Sequence, residues 1–183
     1  MMEIKRILTS CNHEITVVDN LFNFLEIESF YLFATKLNYN FNNSKHGQFF
    51  NCRFNENNEL EFNFNTNKNL LDEFVFLNDY KRYDSWIDAV LPNSRLHKQV
   101  GINSITPTTE QNKTILYHVN KTWDNNCGGE ILFSSISGET EIALEFCPGR
   151  IIIIDSILPF KQAYSAHHNE PKYLYVSKYR KIR

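Results

Sequence analysis

The sequence predicts an α+β chain in which β structure dominates, and three observations predict it. Apolar residues recur at helical spacing within residues 21–37. From residue 98 onward, short apolar segments alternate with Gly and Pro turns. No repeat, linker or low-complexity stretch divides the 183 residues, a length suited to one domain with a full core. Helices first and strands after make an α+β chain around one continuous core. We therefore read residues 1–183 as one domain. Residues 1–97 supply helices and supporting strands, and residues 98–179 a β core of the sandwich or barrel kind.

Each element has a local reason. Residues 14–18 form a short apolar strand, followed by Asp19, a residue type that caps helix N-termini. In the helix over 21–37, Phe24, Ile27, Tyr31 and Ala34 make the apolar stripe, and Phe30 and Leu37 widen it. Residues 48–54 and 59–64 read as a hairpin across the Asn-rich turn at 55–58. In its second strand Leu60, Phe62 and Phe64 alternate with Glu61 and Asn63, leaving one wet face. Residues 69–79 are a second amphipathic helix, and residues 82–93, which carry Trp86, read as irregular. The strands that follow are 98–102, 113–119, 130–134, 139–146, 150–154 and 173–178. Gly128-Gly129, Gly138, Pro148-Gly149 and Pro159 punctuate them. The unbroken run Ile151-Ile-Ile-Ile154 reads as a strand buried on both faces.

Composition excludes some classes. Hydrophobic residues make up 42% of the chain and aromatics 14%, so a packed core is expected and global disorder is not. A net charge of −2 gives no overall electrostatic reason to expect nucleic acid or an anionic membrane as partner. No apolar run is long enough to span a bilayer. The first eleven residues have a basic patch without the apolar stretch of a secretion signal, so the expected location is cytoplasmic. The four cysteines, Cys11, Cys52, Cys127 and Cys147, form no Cys-x-x-Cys pair and read as reduced thiols.

At Tyr117-His-Val-Asn-Lys-Thr-Trp-Asp-Asn-Asn-Cys-Gly-Gly-Glu-Ile-Leu-Phe133 the chain resembles the prolyl-hydroxylase-like branch of the Fe(II)/2-oxoglutarate dioxygenases. In that family a strand ending Tyr-Tyr-Leu-Asn leads through a Trp and a polar loop to Gly-Gly-Glu and another strand. The later stretch Pro148-Gly-Arg-Ile-Ile-Ile-Ile-Asp-Ser-Ile-Leu-Pro159 is similar to the family's Pro-x-x-Gly-Arg, apolar run, Asp-Ser and Leu-Pro pattern. Order and spacing agree over about residues 98–179, and Val17-Val-Asp-Asn-Leu-Phe22 resembles the family's first strand and helix. The resemblance implies a double-stranded β-helix, or jelly roll, with N-terminal flanking helices. The motif residues themselves read as fold residues: Gly128 and Gly129 permit a sharp reversal, and Pro148-Gly149 turns the chain ahead of Arg150.

The chemistry implied by the resemblance is a different matter. Such enzymes hold iron with two histidines and a carboxylate. The first pair, His-x-Asp, aligns with Thr106 and Thr108, or with Ile102 and Ser104 if the register slides. The second histidine aligns with Phe160, directly after Leu158-Pro159. A neutral hydroxyl is a poor ligand for Fe(II), and a phenyl ring is none. Among the six histidines, only His168-Asn-Glu170 has a carboxylate two places on, and it reads as an exposed turn. His118 shares a strand face with Thr114 and Leu116. It aligns with a pocket tyrosine of some relatives and otherwise reads as an interior histidine. Lys172 stands where the basic residue for the far carboxylate of 2-oxoglutarate is expected, its default reading being a solvated lysine at a strand start.

The expected function is that of a non-catalytic dioxygenase-like domain, a pseudoenzyme whose fold binds a small molecule or a protein partner. No cofactor is expected, and the candidate pocket residues are His118, Lys172 and Tyr117. The alternative is an enzyme with unusual metal ligation, through His118, Cys127, Asp124 or the His167-His168 pair, or with metal-free acid–base chemistry. Fe(II) and 2-oxoglutarate belong to that alternative only.

Overall fold

The computed structural model describes residues 1–44, 47–54, 79–92, 97–99, 112–135, 138–163 and 170–182. They contain one α-helix, a short 3-10 helix at Asn125–Cys127 and twelve strands, the strands arranged as two antiparallel sheets, neither of which closes on itself. The large sheet runs β1 (Glu3–Leu8), β2 (Glu14–Asp19), β10 (Ile151–Asp155), β7 (Lys113–His118), β12 (Lys172–Lys181), β5 (Tyr80–Val90), β4 (Gly47–Arg53) and β3 (Asn40–Ser44). The small sheet runs β6 (His97–Gln99), β11 (Phe160–Gln162), β8 (Ile131–Ser134) and β9 (Thr140–Leu144).

Three layers follow from the side-chain alternation. On one face of the large sheet, helix α1 (Phe24–Thr35) seats Phe30 and Ala34 among Ile115, Tyr117, Ile151, Ile153 and Tyr175. On its other face, Leu116, Ile152, Ile154, Leu174 and Val176 meet Ile131, Phe133 and Phe160 of the small sheet. The central strands therefore carry apolar residues on both sides, which is why the isoleucine run of β10 shows no alternation with polar residues. The helix lies against the outside of the large sheet, as its stripe predicts. Its N-cap differs from expectation. Asn23 accepts from the Glu26 amide at 3.1 Å, and Glu26 accepts in return from the Asn23 amide at 2.9 Å, a capping box. Asp19 instead takes both forks of Arg150 at 2.8 Å, tying the end of β2 to the start of β10.

Local readings change at several points. Residues 82–93 are largely strand: β5 pairs with β12 along its length and with β4 on its other edge. From Ser85 onward both of its faces are largely covered, and Asp84 and Asp88 on the inner face break the apolar alternation that would have betrayed it. Strand β4 has β3 and β5 on its two edges; the hairpin partner expected for it is the segment 59–64. That segment and all but Asp79 of the second helix expected at 69–79 lie outside the described residues. The N-terminal β1, the Asn-rich β3 and the three-residue β11 are additional strands. Among the described residues no helix is long and apolar enough to cross a membrane.

The motif residues do structural work. The side chain of Asn120, fully buried, donates to the Pro171 carbonyl at 2.9 Å and accepts from the Tyr173 amide at 2.7 Å, extending the β7–β12 pairing past its last rung. Trp123 donates from Nε1 to the Gly128 carbonyl at 2.9 Å. Asp155 holds Lys113 at 2.7 Å, and the Ser156 hydroxyl bonds that of Thr114 at 2.8 Å. All four cysteines are free thiols.

Candidate functional site

Between the sheets the apolar core gives way to a buried polar group at one end. His118 ends β7 on its inner face and is fully buried. Its Nδ1 lies 3.0 Å from the amide nitrogen and 3.1 Å from the carbonyl oxygen of Cys147, and its ring stacks on Phe146 at 4.1 Å and 9°. Whichever tautomer that pairing selects, Nε2 is a buried polar atom without a hydrogen-bond partner among the described residues. Burial, and then the nearby cations Lys172 and Arg150, hold its pKa well below the usual histidine range, so the ring is neutral.

Lys172 corrects the expectation of a solvated strand-start lysine, for it is fully buried. It opens β12 on the same inner face as Leu174, which pairs across to His118. Its Nζ donates to the carbonyls of Gly129 and Ala163, each at 3.1 Å, and sits 5.7 Å above the Phe146 ring. Burial lowers its pKa to about 7, against the opposing pull of Glu130 and Asp88. An ammonium has three N–H groups, and among the described residues no carboxylate lies within ion-pair distance of it. Gly129 explains the Gly-Gly of the motif: at φ +91° a Cβ would stand 2.8 Å from the Trp123 ring and 3.4 Å from the Lys172 side chain.

Two further polar residues complete the group. Asp88, fully buried on β5, accepts from Asn51 at 2.8 Å, and Gln162 on the small sheet donates to its other oxygen at 3.4 Å. Neither was foreseen. Asp88 lay in a segment read as irregular, and Gln162 follows Phe160 on a strand too short for its period to show. Tyr117 does not join this group. It points to the opposite face of the large sheet, edge-on to Phe22 and Phe30 at 5.4 and 5.5 Å, and burial raises its pKa.

The residues expected at the metal positions divide. Thr106 and Thr108, together with the alternatives Ile102 and Ser104, lie outside the described residues, as do His167 and His168. Phe160 is described. It is 2% exposed, packs 6.3 Å from Phe133, and points into the space between the sheets. A phenyl ring offers no donor atom there. Among the described residues no three His, Cys, Asp or Glu side chains are grouped to hold a metal ion, so His118, Asp124 and Cys127 do not form such a set.

Comparison with known proteins agrees with this fold. No family model and no curated protein matches the sequence. Solved structures do match. A prolyl-4-hydroxylase from Pseudomonas putida superposes with a TM-score of 0.65 at 9% identity, covering 94% of this chain and 95% of that one. HygX from Streptomyces hygroscopicus, with nickel and 2-oxoglutarate bound, gives a TM-score of 0.67 at 13% identity over 91% and 82% of the chains. The viral collagen prolyl hydroxylase of Paramecium Bursaria Chlorella virus-1, as a 2-oxoglutarate complex, gives 0.60 at 10% identity over 92% and 96%. The chain thus has the fold of the 2-oxoglutarate/Fe(II) oxygenases, prolyl hydroxylases among them. At such identities the likeness is one of fold, and function rests on the site.

Proposed function

We propose that this protein is a non-catalytic member of the dioxygenase-like group, a double-stranded β-helix whose interior binds a small anionic ligand without iron. One observation carries the reading. Phe160, at the position that the family motif gives to a metal-binding histidine, is built into the apolar packing between the sheets. Its ring buries area worth roughly 1.5–3 kcal/mol and supplies no ligand to iron. Lys172 fits a carboxylate. It is a buried amine held by two carbonyls, and a bound anion would favour its charged form. The test is calorimetric titration of Fe(II), and of redox-inert Mn(II), under anaerobic conditions, into the parent and into a Thr106→His, Thr108→Asp, Phe160→His variant. Binding by the variant and none by the parent is the expected result, with a small dicarboxylate such as succinate bound by the parent and not by Lys172→Met.

A second reading, an enzyme of unusual chemistry, is favoured by the pairing of a neutral histidine, whose Nε2 has no hydrogen-bond partner among the described residues, with a lysine near pKa 7 in one interior. Perturbed groups of this kind gather at catalytic sites. Metal binding by the parent as tight as by the triple variant would give this reading the lead.

A further inference from the structure

A cleft lies at the other end of the fold from Lys172. His118 ends β7 and Lys113 begins it, so roughly 17 Å of strand, at about 3.4 Å per residue, separates the two ends. The cleft opens between the β1–β2 turn, the end of β8 and the turn after β10. It encloses about 280 Å³, part of it open to solvent.

Its walls are fixed by contacts between distant segments. In the β1–β2 turn the Thr9 hydroxyl accepts from the His13 amide at 3.0 Å, and Asn12 takes a left-handed φ of +60°, which Asn tolerates better than most residues. The turn holds His13 against Asp155, Nδ1 lying 3.3 Å from Oδ2, while Lys113 grips the other carboxylate oxygen at 2.7 Å. With the proton of the neutral ring on Nδ1, facing that carboxylate, Nε2 is left as an acceptor. Ser10 reaches the small sheet, where its amide donates to Glu141 at 3.2 Å and its hydroxyl donates to the other carboxylate oxygen. Phe133 pairs with Ile142 and Ser134 with Thr140, so Glu141 is the extra residue of a bulge. Bulges re-aim side chains and are frequent beside functional sites.

Ser134 points to a ligand. It lines the cleft, is 4% exposed, and its hydroxyl has no hydrogen-bond partner among the described residues. A hydroxyl buried in this way has given up water without a replacement. Glu141 lines the same cleft, and among the described residues no cation lies within ion-pair distance of it. Cys11 and His13 also face the cleft, yet with Glu141 they are not grouped to hold a metal ion. Leu158 and Pro159 supply an apolar wall.

We propose that this cleft binds an alkylammonium group. A primary ammonium has three N–H donors, and the Glu141 carboxylate, the Ser134 hydroxyl and His13 Nε2 are acceptors for them. Glu141 answers the charge, and the alkyl stem lies along Leu158 and Pro159. A carboxylate ligand would meet Glu141 as a like charge, so the cleft selects against the anions that suit Lys172. This chemistry has two sources, a free amine and the side chain of a lysine in a partner peptide.

The experiment is an NMR titration of the full isotope-labelled chain with n-butylammonium chloride, with an end-blocked Ala-Lys-Ala peptide, and with sodium butyrate as the anionic control. Saturable shifts at the Ser10, His13 and Ser134 amides are expected with both amines and none with butyrate. Glu141→Gln should bind roughly tenfold more weakly or worse, and Ser134→Ala about threefold more weakly. Glu141 is exposed and glutamine keeps an acceptor for Ser10, so this variant should unfold at the parent's midpoint. Glu28→Gln removes a carboxylate from α1, on the outer face of the large sheet, and should bind like the parent. Tighter binding of the peptide assigns the cleft to a partner's lysine, and tighter binding of n-butylammonium to a free amine. Equal shifts from butyrate, no saturation with either amine, or a Glu141→Gln variant that binds like the parent overturns the proposal.

Discussion

Asp88 of β5 and Gln162 of β11 meet across the gap between the two sheets, the Gln162 amide donating to Asp88 Oδ2 at 3.4 Å. Asn51 holds the other carboxylate oxygen from the neighbouring strand β4 at 2.8 Å. A fully buried carboxylate persists only if its oxygens are bonded. This one also links the sheets by a polar contact at the end of an otherwise apolar interface. Asp88→Ala strands the Asn51 and Gln162 donors and should cost about 3 kcal/mol. Asp88→Asn keeps an acceptor for Asn51 and should cost about 1 kcal/mol. Urea denaturation of the parent and both variants measures the difference, and equal midpoints would show that the contact does not hold the sheets.

Lys172 makes stability depend on pH in a definite direction. Its folded pKa is about 7, below the ordinary 10.5. Between those values the unfolded chain holds a proton that the folded one has lost, so stability rises with pH across that window. Below about 7 both states are protonated and the full penalty of the buried charge remains, on the order of 5 kcal/mol relative to high pH. Lys172→Met removes the titration. The parent should therefore gain stability relative to Lys172→Met between pH 7 and 10, measured by denaturant midpoints. A constant difference over that range would show that the amine is not charged and buried together.

How much of this was legible in the sequence depends on where each residue's partner lies. The helix stripe of Ile27, Phe30, Tyr31, Ala34 and Leu37 and the doubly buried run at 151–154 are local patterns, and both stand in the fold, whereas Phe24, read into the same stripe, is exposed. The Asn120, Gly129, Arg150 and Ser156 motif positions were read as fold residues, and each has a structural partner. Strand β5 was missed because Asp84 and Asp88 occupy inward positions that in a simple pattern would be apolar. Their compensation comes from β4 and β12, one about 35 and the other about 90 residues distant in the chain. Lys172 was read as solvated for the same reason: its two carbonyl partners, Gly129 and Ala163, are brought to it by the fold alone.

Gly149 carries a prediction about packing. It sits at φ +76° in the turn before Arg150, and a Cβ there would meet Ile27 Cδ1 of α1 at 2.5 Å. The left-handed backbone and the clash both disfavour Gly149→Ala, which should cost about 2–3 kcal/mol. Shortening the neighbour by Ile27→Val removes the clashing methyl and leaves the backbone cost. The double variant should then be less destabilised than the sum of the two single changes. Strict additivity in thermal or denaturant unfolding would mean that the helix does not press on this turn.

Phe160 separates a packing role from a vacant ligand position. Its ring lies in the core beside Phe133, with β6 and β8 on either side of its strand. Phe160→Ala should cost about 3–5 kcal/mol by opening a cavity. Phe160→His replaces a core ring with a polar one and should cost about 2 kcal/mol, since its nitrogens have no designed partner. A metal bound to the folded state at a hundred times its dissociation constant would restore about 2.7 kcal/mol. Measured with and without Mn(II) or Ni(II), the unfolding midpoint of Phe160→His should not move, because one imidazole among Ile131, Phe133 and Leu158 does not make a ligand set. A rise with metal, absent in the parent, would reveal further ligands facing position 160 and favour the reading in which the interior holds a metal.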